Sequence, residues 1–232
     1  MLIQGFWVKK GGESIMNPSF EKEIKVLAQI TEMKRIYSVI ENSLPKSNPA
    51  CLVVTSGAPG EGKTTMVAGL AAVAAYHDKK HVLAVDLNWY TPALHSRFGL
   101  DLAFDDDKFR REKSIAGLVQ SSGIDNLDIL TARKSAEDEA DTDGYEYAMG
   151  TEIVRQAREA YDFVVVDTSS LFPINRRMMD PLTISKAADG VALVVLANAT
   201  PRQQVKRARI SLETAGANVL GVIVNQWKNP MV

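Results

Sequence analysis

The stretch from Cys51 to Tyr76 constrains this chain more than any other. An apolar run, Cys51-Leu52-Val53-Val54, gives way to Gly57-Ala58-Pro59-Gly60-Glu61-Gly62-Lys63-Thr64 and then to a helical segment, Lys63 to Tyr76. Strand, glycine-rich turn and helix in that order open a βα unit. Further apolar runs end at Asp86 (HVLAVD) or cover Leu127 to Ala132, Phe163 to Asp167, Val191 to Ala197 and Val219 to Asn225. Helices are expected from Thr151 to Tyr161 and from Pro201 to about Ala215, the second opened by Thr200-Pro201-Arg202-Gln203 as a capping box. Strands that are apolar throughout are buried on both faces, and their alternation with helices makes the sheet parallel. The expected fold is α/β, with a mostly parallel sheet of six to eight strands flanked by helices.

The chain has 232 residues, 46% of them hydrophobic and 24% charged, which suits one large globular domain. That domain is expected over 17–232, behind a loose tail at 1–16. Asn17-Pro18 reads as a helix start. Phe20, Ile24, Leu27, Ile30, Met33, Ile36, Ile40 and Leu44 then continue one apolar stripe through a helix at 17–44. Such a stripe packs on its own domain or against a partner, and the sequence leaves both open. The charged stretches Asp105 to Lys113 and Ala136 to Gly144 are expected to be mobile loops. The single cysteine, Cys51, sits in an apolar strand and reads as a core residue. His77, His81 and His95 have no metal-ligand spacing. A formal net charge of −1 gives no footprint for nucleic acid. The apolar stretch from Met66 to Tyr76 is far shorter than the roughly 20 residues that span a bilayer. The expected location is the cytoplasm.

Residues 57–64 fit G-x-x-x-x-G-K-[ST] in full, between a strand and a helix. This phosphate-binding pattern works by geometry. Glycines let successive N–H groups curl around phosphate oxygens, and the helix start adds partial positive charge. Lys63 would reach the terminal phosphates of ATP or ADP, and the Thr64 hydroxyl would ligate Mg²⁺. Thr65 follows on the same turn. Asp86 and Asp167 end apolar strands, at the edge where parallel sheets bind ligands. Asp167 is the candidate metal-holding acid. Asp86 is a candidate for metal binding or for taking a proton from an attacking hydroxyl. Either aspartate can also serve as a helix cap.

Thr55-Ser56-Gly57-Ala58-Pro59-Gly60-Glu61-Gly62-Lys63-Thr64-Thr65 resembles the phosphate loop of the bacterial tyrosine kinases that regulate polysaccharide export. Asp86-Leu87-Asn88-Trp89-Tyr90 falls where that family has D-x-D-x-R, and Asp167-Thr168-Ser169-Ser170 where it has D-T-P-P. The resemblance runs from about Glu32 to Asn225. It implies a P-loop nucleotide fold, ATP with magnesium, an adenine contact at Asn225, and a membrane chain-length partner. That partner would be a separate protein and would bring the chain to the inner membrane. The family also self-associates through E-x-x-R-x-x-R on its N-terminal helix. Glu32 and Arg35 match its first positions, and Ser38 replaces the second arginine. Cell-division and partition ATPases, more distant relatives, carry a lysine where this chain has Ala58.

Three departures stand out: Asn88 for an acid, Tyr90 for an arginine, and no C-terminal tyrosine cluster. Tyr145 and Tyr147 read as loop residues. The resemblance implies a kinase-like regulator of polysaccharide synthesis. It leaves open an inactive nucleotide-binding scaffold and a positioning ATPase. A carboxylate at position 88 would support magnesium, so Asn88→Asp is expected to lower the magnesium requirement, unless Asn88 only caps the next segment.

Overall fold

The computed structural model of the protein describes residues 18–46, 49–133, 143–172 and 179–226, and the tail expected at 1–16 lies outside them. Seven strands form one sheet: β1 (Ala50–Ser56), β2 (Val82–Asp86), β3 (Gln120–Ile124), β4 (Leu127–Leu130), β5 (Phe163–Asp167), β6 (Gly190–Leu196) and β7 (Val219–Asn225). Their order across the sheet is β3-β4-β2-β5-β1-β6-β7. All neighbours are parallel except β3, which runs antiparallel to β4. The six parallel strands are the six apolar runs. β3 was not expected, because Gln120-Ser121-Ser122-Gly123 carries no apolar signal. It forms because a short turn folds it back on β4.

Eight helices complete the described residues: α1 (Pro18–Gln29), α2 (Thr31–Ser43), α3 (Lys63–His77), α4 (Leu94–Arg97), α5 (Asp106–Glu112), α6 (Asp143–Ala160), α7 (Pro181–Lys186) and α8 (Arg202–Thr214). The strands' two-residue alternation divides the core into two layers. Leu52, Val54, Ala84, Val165 and Val194 face α1 to α4. Cys51, Val53, Val85, Val164 and Leu193 face the layer of α5 to α8. Cys51 is fully buried and its thiol is pushed up to about 12 by that burial, so it is a core residue and not a nucleophile.

α3 is apolar on all sides because it lies between the sheet and the α1–α2 pair. The N-terminal stripe therefore packs on its own fold. Ile24, Ala28, Met33, Tyr37 and Ile40 are all buried there. Gly69 lets α2 approach α3 closely, since a Cβ at that position would stand 2.6 Å from Met33 Cε. The single helix expected at 17–44 is instead two, divided at Ile30, whose backbone is extended (φ −62°, ψ 125°). The spacing explains the break. From Ala28 to Met33 is five residues, which would turn the stripe about 140° away on a straight helix. The break restores it to α3.

Asp105 to Lys113 is not a loop but contains α5, capped by Asp105 Oδ1 accepting from the Lys108 amide and anchored by buried Phe109. Of Ala136 to Gly144, residues 136–142 lie outside the described residues, and the last two begin α6. Tyr145 and Tyr147 are on α6, not in a loop. The capping box at Thr200 does not form. Pro201 is the N-cap of α8 without a side-chain bond, and Thr200 Oγ1 accepts from the Leu196 amide and donates to Glu61. His77 ends α3, with Nε2 3.3 Å from Ala28 O, and His81 is exposed. Arg202, Lys206, Arg207 and Arg209 of α8 are exposed, as a solvated face requires.

Candidate phosphate-binding site

β1, β2 and β5 end together at the carboxyl edge of the sheet. Asp86 and Asp167 are register partners on adjacent strands, and Val54 of β1 pairs with Asp167 from the other side. The loop after β1 then delivers the start of α3 directly over them. Gly62 makes that turn possible. Its φ is +96°, a left-handed conformation that favours glycine, and a Cβ there would collide with Asn225 Nδ2.

Thr64 Oγ1 donates to Asp167 Oδ2 at 2.5 Å. The other oxygen, Asp167 Oδ1, is buried with no hydrogen-bond partner. A buried carboxylate oxygen without a partner, beside a threonine hydroxyl, is a hard-oxygen donor set that suits magnesium. Lys63 is buried, and its Nζ donates to Ser56 Oγ at 3.1 Å. Burial holds the ammonium below the ordinary lysine range, against the opposing pull of Asp167 and Glu61. Burial likewise raises both aspartates above the usual carboxylate range, and for Asp86 the neighbouring Asp167 adds to this. Two buried carboxyls side by side resist ionising together, and a divalent cation would relieve that conflict.

Asp86 does more than face its neighbour. Its Oδ1 accepts from the Asn88 amide at 3.0 Å, and its Oδ2 from the amides of Ala93 (3.2 Å) and Leu94 (3.0 Å). It thus holds the turn after β2 and the start of α4. Asn88 is committed to the same turn: its Nδ2 donates to Thr91 O at 2.8 Å, and its Oδ1 accepts from Thr91 Oγ1 at 3.2 Å. A carboxylate there would lose the first of these bonds and stand beside two other acids. Asn88→Asp is expected to lower thermal stability by about 1 kcal/mol and leave the magnesium dependence of ATP turnover unchanged. A shift of that curve to lower magnesium would put residue 88 in the metal shell after all.

Glu61, inside the phosphate loop, is 3% exposed. Its Oε2 accepts from the Ala58 amide at 3.0 Å, its Oε1 from Thr200, and its carbonyl from Asn225 Nδ2 at 3.0 Å. Asn225 therefore sits against the loop at the end of β7. A cleft of about 420 Å³ opens over the loop, with Pro59, Gly60, Gly62, Lys63, Thr64 and Thr65 on one side and Asn88, Tyr90 and Arg97 on the other. Gly57 lies outside the cleft lining, next to Gln204 of α8. Ser56, Thr200 and Arg97 were not expected at the site. Ser56 adjoins the motif and could have been found from it. The other two arrive from distant segments and carry no local signal.

A strand, phosphate loop and helix over two strand-terminal acids define a P-loop nucleotide-binding protein. The sequence profile of the CobQ/CobB/MinD/ParA nucleotide binding domain matches residues 52–231, and the chain belongs to that family. Among its relatives is tyrosine-protein kinase YwqD of Bacillus subtilis, 31% identical over 178 residues, covering 76% of this chain and 72% of that protein. The succinoglycan biosynthesis transport protein ExoP of Rhizobium meliloti is 27% identical over 194 residues. There the match covers 80% of this chain but only 23% of the longer protein. Among solved structures, the chimerical protein CapA2B2 superposes with a TM-score of 0.72 at 26% identity, covering 91% of each chain. Tyrosine-protein kinase etk of Escherichia coli is a further relative of this chain, 24% identical over 175 residues, covering 75% of this chain and 23% of that protein. Among the described residues, no helix is long and apolar enough to cross a membrane.

Proposed function

We propose that residues 17–232 act as one MgATP-binding, tyrosine-kinase-like unit that regulates extracellular polysaccharide synthesis and export. Its partner would be a separate membrane chain-length protein, which would hold it at the inner membrane from the cytoplasmic side. The observation that carries this reading is the pairing of Thr64 with Asp167 beneath a complete phosphate loop, with one carboxylate oxygen left without a partner. The names of YwqD and ExoP support the kinase and polysaccharide parts.

In this reading the amides of residues 60 to 65 bind phosphate oxygens, and Gly57 and Ala58 shape the entry to that loop. Lys63 swings from Ser56 to neutralise the terminal phosphates. Thr64 and Asp167, with Asp86 beside them, hold magnesium. Asn225 serves the adenine end. Bound MgATP would supply the phosphoryl group. Asp86 would take the proton of an acceptor hydroxyl.

One observation favours a scaffold that binds nucleotide without transferring phosphate. Both Asp86 oxygens and both ends of the Asn88 amide are already used within the fold. The test is to incubate the chain with MgATP and measure ADP release together with phosphotyrosine by mass spectrometry. The expected result is slow turnover with little phosphotyrosine on the isolated chain. Binding with no turnover would leave the scaffold. Heavy modification at Tyr145 or Tyr147 would make this chain its own substrate.

A further inference from the structure

Arg97 is placed in the phosphate cleft by construction of the fold around it. α4 is only four residues long, yet both of its ends are fixed. Asp86 Oδ2 accepts from the Ala93 and Leu94 amides at its start. Leu94 and Phe98 are both fully buried, and they pin the segment to the core on either side of Arg97. The backbone at Arg97 is therefore rigid, while the side chain is exposed and lines the cleft opposite the phosphate loop. Arg97 makes no hydrogen bond or ion pair among the described residues. An arginine that is anchored at its backbone and free at its guanidinium is available to a ligand.

The charge of the site needs such a group. Three acids, Glu61, Asp86 and Asp167, gather at the loop and the strand ends beside the single buried ammonium of Lys63, and the two aspartates already resist ionising together. A triphosphate with one magnesium still carries about two negative charges at neutral pH, so it enters a cleft whose fixed charge is unfavourable. The unfavourable balance is largest at the terminal phosphate, which adds charge that a diphosphate lacks. Lys63 and Arg97 are the only basic residues lining the cleft among the described residues. Arg97 already acts electrically across it, since its charge pulls the Asp167 carboxyl downward, against the effect of burial.

We infer that Arg97 is the residue that makes this cleft distinguish a nucleoside triphosphate from a diphosphate, by meeting the terminal phosphate from the α4 side. Guanidinium suits that role, because its planar donors engage phosphate oxygens in pairs. Asp86 takes part indirectly, as the residue that holds α4 and so positions Arg97. The inference rests on nucleotide binding at the phosphate loop, and its test is chosen to separate the two.

The experiment is calorimetry with MgADP and with a non-hydrolysable MgATP analogue, on wild type, Arg97→Ala, Arg97→Lys and Lys63→Ala. Arg97→Ala is expected to weaken the triphosphate analogue about 10-fold and to leave MgADP within about twofold. Arg97→Lys should recover part of the loss, because it restores charge without the paired donors. Arg97 is exposed, so these variants should fold as wild type does. Equal losses for both nucleotides, or no loss for either, would overturn the assignment while Lys63→Ala still showed that the loop binds. Absence of binding by wild type would remove the nucleotide reading, and this one with it.

Discussion

Lys63→Ala is expected to raise the Kd for MgATP by roughly 10- to 150-fold, on the order of 1.5–3 kcal/mol. The size follows from where the ammonium sits. It is 7% exposed, and burial already holds it below the ordinary lysine range. A charge in that position is poorly solvated without ligand, so it gains more from a phosphate than a surface lysine would. The substitution also removes the donor to Ser56 Oγ, whose own hydroxyl donates to Ala58 O at 2.7 Å and so helps hold the loop. Lys63→Met keeps most of the buried stem and separates loss of charge from loss of packing. Calorimetry giving the same affinity for wild type and both variants would end the assignment of Lys63 to phosphate.

The second large effect is on stability and has the opposite sign. Asp167→Asn should make the nucleotide-free protein more stable at pH 8, by on the order of 1–2 kcal/mol, while abolishing magnesium-dependent binding. Burial raises the Asp167 carboxyl above its ordinary value, so the fold binds its proton more tightly than the unfolded chain does. The penalty for ionising it is absent below the unfolded value of about 4. It grows as pH rises through the raised folded value, and is complete above it. The advantage of Asn should therefore be present at pH 8 and fade towards pH 4. Asparagine keeps an oxygen to accept from Thr64. Asp86→Asn should not stabilise in the same way, because its two oxygens face three backbone amides and an NH₂ group would oppose at least one of them. Thermal unfolding without nucleotide at pH 5 and pH 8 checks this; a wild type that matches Asp167→Asn at pH 8 would refute it.

These effects trace to residues that could be read from the sequence, and the reasons are physical. The six parallel strands were legible because burial on both faces leaves runs such as FVVVD with no polar position. β3 was not, since an edge strand closed by a turn needs no such run. α5 hid in a charged stretch because one buried residue, Phe109, anchors it. The phosphate loop and both acids were legible from their places at strand ends. Thr200 does not cap α8, because a hydroxyl serves whichever partner the tertiary fold supplies, and Glu61 lies 139 residues away. Asn88 stands where the resemblance implies an acid, and only the fold shows that both ends of its amide are bonded to Thr91. Arg97 carries no local pattern, and only the placement of α4 brings it to the cleft.

The bonds around Glu61 also bear on the order in which the chain can mature. Asn225 reaches back 164 residues to the Glu61 carbonyl, and Thr200 reaches back 139 to its carboxylate. No nascent fragment that stops short of Asn225 can form both. The phosphate loop is synthesised well before its backing, which arrives with α8's approach and β7. Contacts so far apart in sequence slow folding, because loop-closure entropy is lost before they form. A newly made molecule thus carries the sequence of its phosphate loop long before it has the two residues that brace it.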